Sequence, residues 1–526
     1  MSLDTRSEAA APTPADGSDK LDREVLVVAG VVVLGAIMSI LDITVVSVAL
    51  RTFQNIFHAT AAEVAWTMTG YTLALASVIP LTGWAADRFG TKRLYLLAVV
   101  LFTAGSALCA TATSLEMLVG FRILQGLGGG MLMPLGMTIL TRAAGPERVG
   151  RVMAVLGVPM LLGPIFGPIL GGWLIDAASW HWFFLINVPI GALALGYAAK
   201  VLPKDDVEPT QTFDFVGMLL LSPGLALFLF GVSSIPEKGT ILASRVLVPA
   251  VLGLALIVAF VPWALRRANI HPLIDLRLFL NRNLAIAVTA MALFAMAFFG
   301  ASLLFPLYFQ QVRGESALSS GLLLAPQGVG AMVTMPIAGI LADRIGPGKI
   351  VLVGVAVITV GMAMFTQLGP DTSYAYMLSA LFVMGLGMGA TMMPIMSAAL
   401  ATLTRESTAR GSTLLNIIQQ VAASAGTALF SVLLTSGLNG SQDIKVAGAL
   451  ASAKGAPEKV AAILAKFSLA PGDLTGLKAK AVTDIADSYA HVFVVATILV
   501  ACCLVPAFFL PRKKLAPVDP AALISH

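Results

Sequence analysis

The chain has 526 residues, 58% of them apolar and only 12% charged, with a mean hydropathy of +0.90; soluble domains run near about 45–50% apolar and about 25% charged. That balance excludes a soluble domain and predicts a membrane protein. The formal charge of +5 implies no nucleic-acid partner, because the cations fall in short connections between apolar runs.

Residues 1–24 are rich in Ala, Pro, Asp and Glu and have no apolar core, which predicts a disordered tail rather than a signal peptide. A bilayer core of about 30 Å takes about 20 apolar residues per helix. On that measure fourteen spans follow, near 26–50, 62–84, 94–113, 117–141, 150–175, 182–201, 214–234, 245–265, 284–310, 318–341, 350–368, 374–402, 411–436 and 489–511. The fold class expected is an all-α polytopic membrane protein. Its parts are a six-helix bundle over 25–201, a linker with two inserted spans over 202–283, a second six-helix bundle over 284–511, and a tail over 512–526. The longest connection, 437–488, contains helical stretches such as 459–464 and reads as a solvated two-helix loop or as a lid.

Lys and Arg set the orientation. With the N-terminus inside, the inner loops hold Arg88, Lys92, Arg93, Arg142, Arg148, Arg151, Arg344, Lys349, Arg405, Arg410 and others, while the outer loops hold Arg51, Lys238, Arg245 and Arg313. Both termini are therefore expected in the cytoplasm.

Within the first span stands one carboxylate, in Leu41-Asp42-Ile43-Thr44-Val45-Val46. A charge in hydrocarbon is penalised by roughly 2.5–3.5 kcal/mol on insertion scales, so such an acid normally faces a cavity or a partner. Arg122 in span four lies about as far from the outer end as Asp42 does, both about 10 Å deep at 1.5 Å per residue, so the two are expected to meet. A carboxylate's proton affinity changes with its distance from a guanidinium and with water access, which suits binding and release of a proton. The competing reading is a static ion pair that only fixes packing.

In span five, Gly163, Gly167 and Gly171 recur every four residues on one face, with Gly172, Pro164 and Pro168 alongside. Small residues let a neighbouring backbone approach and Pro bends a helix, so the face is expected to slide or seal between the two halves. The chain also repeats itself. Gly83-Trp84-Ala85-Ala86-Asp87-Arg88-Phe89-Gly90-Thr91-Lys92 after span two matches Gly339-Ile340-Leu341-Ala342-Asp343-Arg344-Ile345-Gly346, with Lys349 soon after, following span ten. Two parallel halves with spans seven and eight inserted between them explain the spacing.

This doubled loop resembles the signature of the major facilitator superfamily, and the fourteen spans resemble its drug/proton antiporter branch of the QacA/EmrB type. Leu41-Asp42 to Leu50, Arg122-x-x-Gln125-Gly126, Gly163 to Gly172, Trp180 to Gly191 and Pro306 to Gln311 look like further motifs of that branch. The resemblance implies two bundles working by alternating access and proton-coupled efflux of amphipathic, cationic or neutral drugs, as in antibiotic resistance. It implies that Asp42 is the protonation site with Arg122 its partner. The paired loops (Gly83, Asp87, Arg88, Gly90 and Lys92; Asp343, Arg344 and Gly346) would latch the inner side, and the glycines of span five mark an exporter. It places the chain in a bacterial inner membrane, with protons, lipid and a small amphipathic substrate as partners, and allows a periplasmic adaptor. A dedicated exporter of one solute, such as a lipid, siderophore or self-made antibiotic, would use the same machinery; a non-transporting membrane sensor would need an output domain that the sequence does not offer.

Trp66, Tyr71, Gln125, Asn187, Tyr308, Gln310, Asn416, Gln419 and Gln420 are polar or aromatic residues within spans and are candidates to line a substrate cavity. Met384, Met388, Met392 and Met393 read as packing that would also suit a promiscuous cavity. Glu63, three residues after Thr60, reads as a capping box. The three cysteines lie in apolar runs without metal-ligand spacing, the five histidines do not cluster, and no Gly-rich Lys loop is present. No metal, cofactor, ATP hydrolysis or enzymatic activity is expected; the proton gradient would supply the energy.

Overall fold

A computed structural model of the protein describes residues 22–59, 61–145, 148–204, 212–235, 243–267, 269, 271–404, 407–452, 467 and 476–513. The first bundle comprises α1 (Arg23–Phe57), α2 (Ala61–Phe89), α3 (Thr91–Cys109), α4 (Leu115–Ala144), α5 (Val149–Ala177) and a sixth span made of α6 (Trp182–Leu185) and α7 (Asn187–Val201). The inserted hairpin is α8 (Phe215–Ser233) and α9 (Ser244–Ala264). In the second bundle α10 (Arg282–Phe294) continues through a π-helical turn, Ala295–Phe299, to α11 (Leu304–Gln311). There follow α12 (Ala317–Leu323), α13 (Ala325–Ile345), α14 (Pro347–Met364), α15 (Tyr374–Gly389), α16 (Met392–Leu400), α17 (Thr408–Gly440), α18 (Gln442–Ser452), α19 (Leu477–Cys502) and α20 (Leu504–Phe509). Thirteen stretches among the described residues are long and apolar enough to cross a membrane. The 29-residue α5 is the fourteenth long helix, and several of its side chains lie outside the described residues.

Local sequence explains many of the helix starts. Ser114, Asp214, Asn281 and Ser373 each accept a backbone N–H from the first turn of the helix that follows. The repeated loop folds the same way twice: Gly90 has φ 95° and ψ 144°, and Gly346 has φ 94° and ψ 140°. That backbone region is essentially closed to residues with a Cβ, which is why each copy carries glycine there.

The bounds of the long connection are revised. Helix α17 runs on to Gly440, α18 occupies Gln442–Ser452 and α19 starts at Leu477, so both flanking spans project into the connection read as 437–488. Its proposed stretch 459–464 lies outside the described residues, as does Thr60, the proposed cap partner of Glu63.

The halves meet at the end of the molecule that carries the Asp87 and Asp343 loops, called here the basic end, and α5 also touches α12 towards the opposite end. There α2 and α4 pack on α17, while α5 packs on α13 and α16. The hairpin α8–α9 lies against α2 and α17. It is clasped at one point: Asp214 caps α8 through Gly217 N (2.8 Å) and also accepts from Trp263 Nε1 (2.8 Å), Asn269 Nδ2 (3.2 Å) and Leu273 N (3.0 Å).

Candidate functional site

Five spans of the first bundle converge on Asp42, which is 1% exposed, as is Arg122, while Gln125 is 0% exposed. Arg122 donates to Asp42 Oδ2 in a close ion pair and to Gln125 Oε1 at 2.7 Å. Gln125 Nε2 donates to Asp42 Oδ1 at 2.7 Å, and Asn187 Nδ2 reaches the same oxygen at 3.5 Å. Both carboxylate oxygens are therefore held by donors, as a buried charge requires. Arg122 Nε donates to the Thr67 carbonyl (3.1 Å), and the guanidinium lies 4.2 Å from the Tyr71 ring centroid. Outward from these, Tyr71 and Ser39 hydroxyls are 3.2 Å apart, and Asn187 donates to Ser106, which donates to the Phe184 carbonyl.

Chemically, the cluster has two self-consistent charge states. With Asp42 ionised, it carries a charge-assisted hydrogen-bond network; with Asp42 protonated, the guanidinium keeps the Gln125 oxygen, the Thr67 carbonyl and the Tyr71 face as partners.

Of the residues expected to line a substrate cavity, Tyr71, Gln125 and Asn187 belong instead to this cluster. Trp66 turns the other way: it is 36% exposed and stacks on Phe230 of α8 at 5.6 Å. Helical pitch separates it from Thr67 by about 100°, and the inserted hairpin covers the side it faces. Tyr308 is buried in the second bundle and donates to the Gly369 carbonyl at 2.8 Å, while Gln310 is exposed. Asn416 stands at the seam between the halves, with Nδ2 3.1 Å from Met137 Sδ and 2.8 Å from the Ser412 carbonyl. Gln419 and Gln420 are half-buried on the same helix. The four methionines of α15 and α16 are buried.

The glycine face of α5 seats on α1, within one half. A Cβ at Gly163 would meet the Ile40 side chain, and one at Gly167 the Thr44 side chain, residues that flank Asp42. The expectation that this face seals the two halves is thus corrected: the seam uses the beginning of α5, where a Cβ at Gly150 would lie 2.6 Å from Asp343 Oδ1. Gly171 is buried. The side chains of Pro164 and Pro168 and the surroundings of Gly172 lie outside the described residues.

At the basic end the repeat reaches across the seam twice. Asp343 accepts Gly150 N at 3.0 Å and Arg151 N at 3.3 Å, with Arg151 Nε at 3.4 Å from it. It therefore caps α5 of the other half, and its charge faces the positive end of that helix. Asp87 is paired with Arg410, at the start of α17, and with Arg142 of α4, both at 3.5 Å. Gly83 lies against Arg410 and Thr413, and Gly339 against Gly150 and Ala154. Lys92 Nζ donates to the carbonyls of Ala199 (2.8 Å) and Leu202 (2.7 Å) at the end of α7. Arg88 is half-buried and Arg344 exposed; Arg151 and Arg410 pair across the seam and Arg142 supports Asp87 from within the first half, three cations that the sequence marks only as loop charges. A signal existed, since Arg151 and Arg410 are each the third residue of their helices, where a cation opposes the helix dipole. Ser39, Thr67 and Ser106 were also missed, being small polar residues with no pattern of their own.

The family described as Major Facilitator Superfamily matches residues 32–427. The chain is 52% identical over 501 residues to the multidrug resistance protein B homolog of Mycobacterium tuberculosis, covering 94% of this chain and 92% of that one. It is 32% identical over 400 residues to the multidrug export protein EmrB of Haemophilus influenzae, covering 75% and 78%. Among solved structures, the human organic anion transporter MFSD10 (TETRAN) superposes with a TM-score of 0.58 at 16% identity, over 91% of this chain and 100% of that one.

Proposed function

The chain belongs to the Major Facilitator Superfamily, and on that premise we propose that it exports amphipathic, cationic or neutral drugs in exchange for protons, by alternating access of its two halves. It is a multi-pass transporter; the excess of Lys and Arg in the Asp87 and Asp343 loops supports placing the basic end and both termini in the cytoplasm of a bacterial cell. The names of its multidrug relatives support the cargo class.

The observation that carries the proton role is the sealed Asp42–Arg122–Gln125 network. Protonation of Asp42 from the outer side removes the charge that three donors now satisfy, loosening α1 from α4 and α7 and favouring release of a cationic cargo. Loss of the proton to the cytoplasm restores the ion pair. The Asp343 cap on α5 and the Asp87 pairs with Arg410 and Arg142 hold the cytoplasmic side shut in the arrangement described, and must separate for that second step. A membrane potential of 100 mV contributes about 2.3 kcal/mol per charge moved, enough for a roughly fortyfold gradient.

The test is dye efflux in inverted vesicles with and without an imposed pH gradient. Asp42→Asn is expected to fold, to permit downhill flux and to lose gradient-driven accumulation. Undiminished gradient-driven transport by that variant would refute the proton role.

A further inference from the structure

On the outer surface of the second bundle, away from the Asp42 cluster, α12, α13 and α15 border an open groove of about 620 Å³. Its walls are Leu322, Pro326, Val329, Leu378 and Phe382, and one of its rims is Glu315. The cause of the groove is local. Deeper in the bundle Gly330 brings α13 against the backbone of α15, where a Cβ would lie 2.5 Å from the Phe382 carbonyl oxygen. Towards the outer end, Pro326 stands in the first turn of α13 just after the break at Leu324, and Gly385 of α15 lets the Gln327 carbonyl come close, so the groove runs along the outside of a tightly packed helix pair. Leu322 is 48% and Val329 50% exposed, so the apolar walls are open on the outside of the bundle, as residues that meet lipid tails would be.

Glu315 sits in the turn between α11 and α12. Among the described residues its carboxylate has a single hydrogen-bond partner, the phenol of Tyr374 at 2.5 Å. Arg313 is committed elsewhere, to the Pro370 carbonyl and to the face of Tyr374 at 4.6 Å. An acid with spare acceptor capacity at the membrane boundary, above an apolar slot that runs towards the bilayer interior, is complementary to a molecule with a cationic head and an apolar body. The volume suits a drug-sized ligand rather than a whole two-chain lipid.

We propose that this groove is a second binding site, taking an amphipathic cation with its charge on Glu315 and its apolar body between Val329 and Phe382. Given the orientation and cargo proposed above, on which this part of the reading rests, it is where exported cations pause at the outer leaflet.

The experiment measures equilibrium binding of tetraphenylphosphonium and of neutral N-phenyl-1-naphthylamine to the full chain in phosphatidylcholine nanodiscs. Glu315→Gln is expected to weaken one class of tetraphenylphosphonium sites about tenfold and leave the neutral probe unchanged. Val329→Trp, which fills the slot, is expected to remove one class for both probes. Because each result is a difference from the wild type, any site elsewhere cancels, and the outcome stands apart from whether the chain transports. Unchanged binding in both variants overturns the proposal. So does loss of cation binding when phosphatidylethanolamine is added, with that lipid found on the purified protein, because a bilayer lipid is then the occupant.

Discussion

The two halves share a backbone plan and differ in what they bury. In the first, Asp42, Arg122, Gln125 and Asn187 form a charged network drawn from several spans. In the second, the corresponding interior is aromatic: Phe305 lies 4.9 Å from Phe365 and 5.2 Å from Phe493, and Tyr308 packs on Tyr489 at 5.6 Å. A network of charges has two protonation states and therefore two preferred packings, whereas an aromatic cluster packs one way whatever the pH. On the proton role proposed above, the first half is the one that changes with protonation and the second is the body it moves against.

The contrast breaks hardest if one charge is removed without the other. Arg122→Leu leaves a buried carboxylate with no cation, expected to cost about 3–5 kcal/mol and to lower the thermal unfolding midpoint strongly. Adding Asp42→Asn to that variant is expected to recover much of the loss; a midpoint no higher in the double variant would contradict the paired-charge account. Phe305→Ala tests the other half. It should cost about 3–4 kcal/mol through the cavity it leaves, with the pH dependence of transport by the surviving folded protein unaltered; a shifted pH profile would erase the division of labour. The smallest effect is expected at the seam. Asp343→Asn weakens a charged cap by about 1 kcal/mol, so maleimide labelling of Ala154→Cys, in a chain with its three native cysteines replaced, should speed up about fivefold. Equal labelling rates would show that the cap does not hold the seam.

Much of this architecture is legible in the sequence, because span length, loop charge and an internal repeat are each set by simple physics. The meeting of Asp42 and Arg122 is readable too, since equal depth along two helices needs only the rise per residue. What the sequence leaves open is which way a polar residue turns. Tyr71, Gln125 and Asn187 carry the same signature as residues facing a cavity, and only the packing of the spans reveals that they surround Asp42. Trp66 looked like a cavity residue because nothing in span two shows that the inserted hairpin covers that side. The α5 glycines mark a close approach without naming the partner, and the partner is α1.

The inserted pair α8–α9 begins and returns at a single carboxylate, Asp214, which holds Gly217 at the start of α8 and Trp263, Asn269 and Leu273 near and beyond the end of α9. The hairpin is thus tied at its ends and propped along its length, because α8 also packs on α2 and α17 and Phe230 stacks on Trp66, so a change in its length would be felt by one helix of each half.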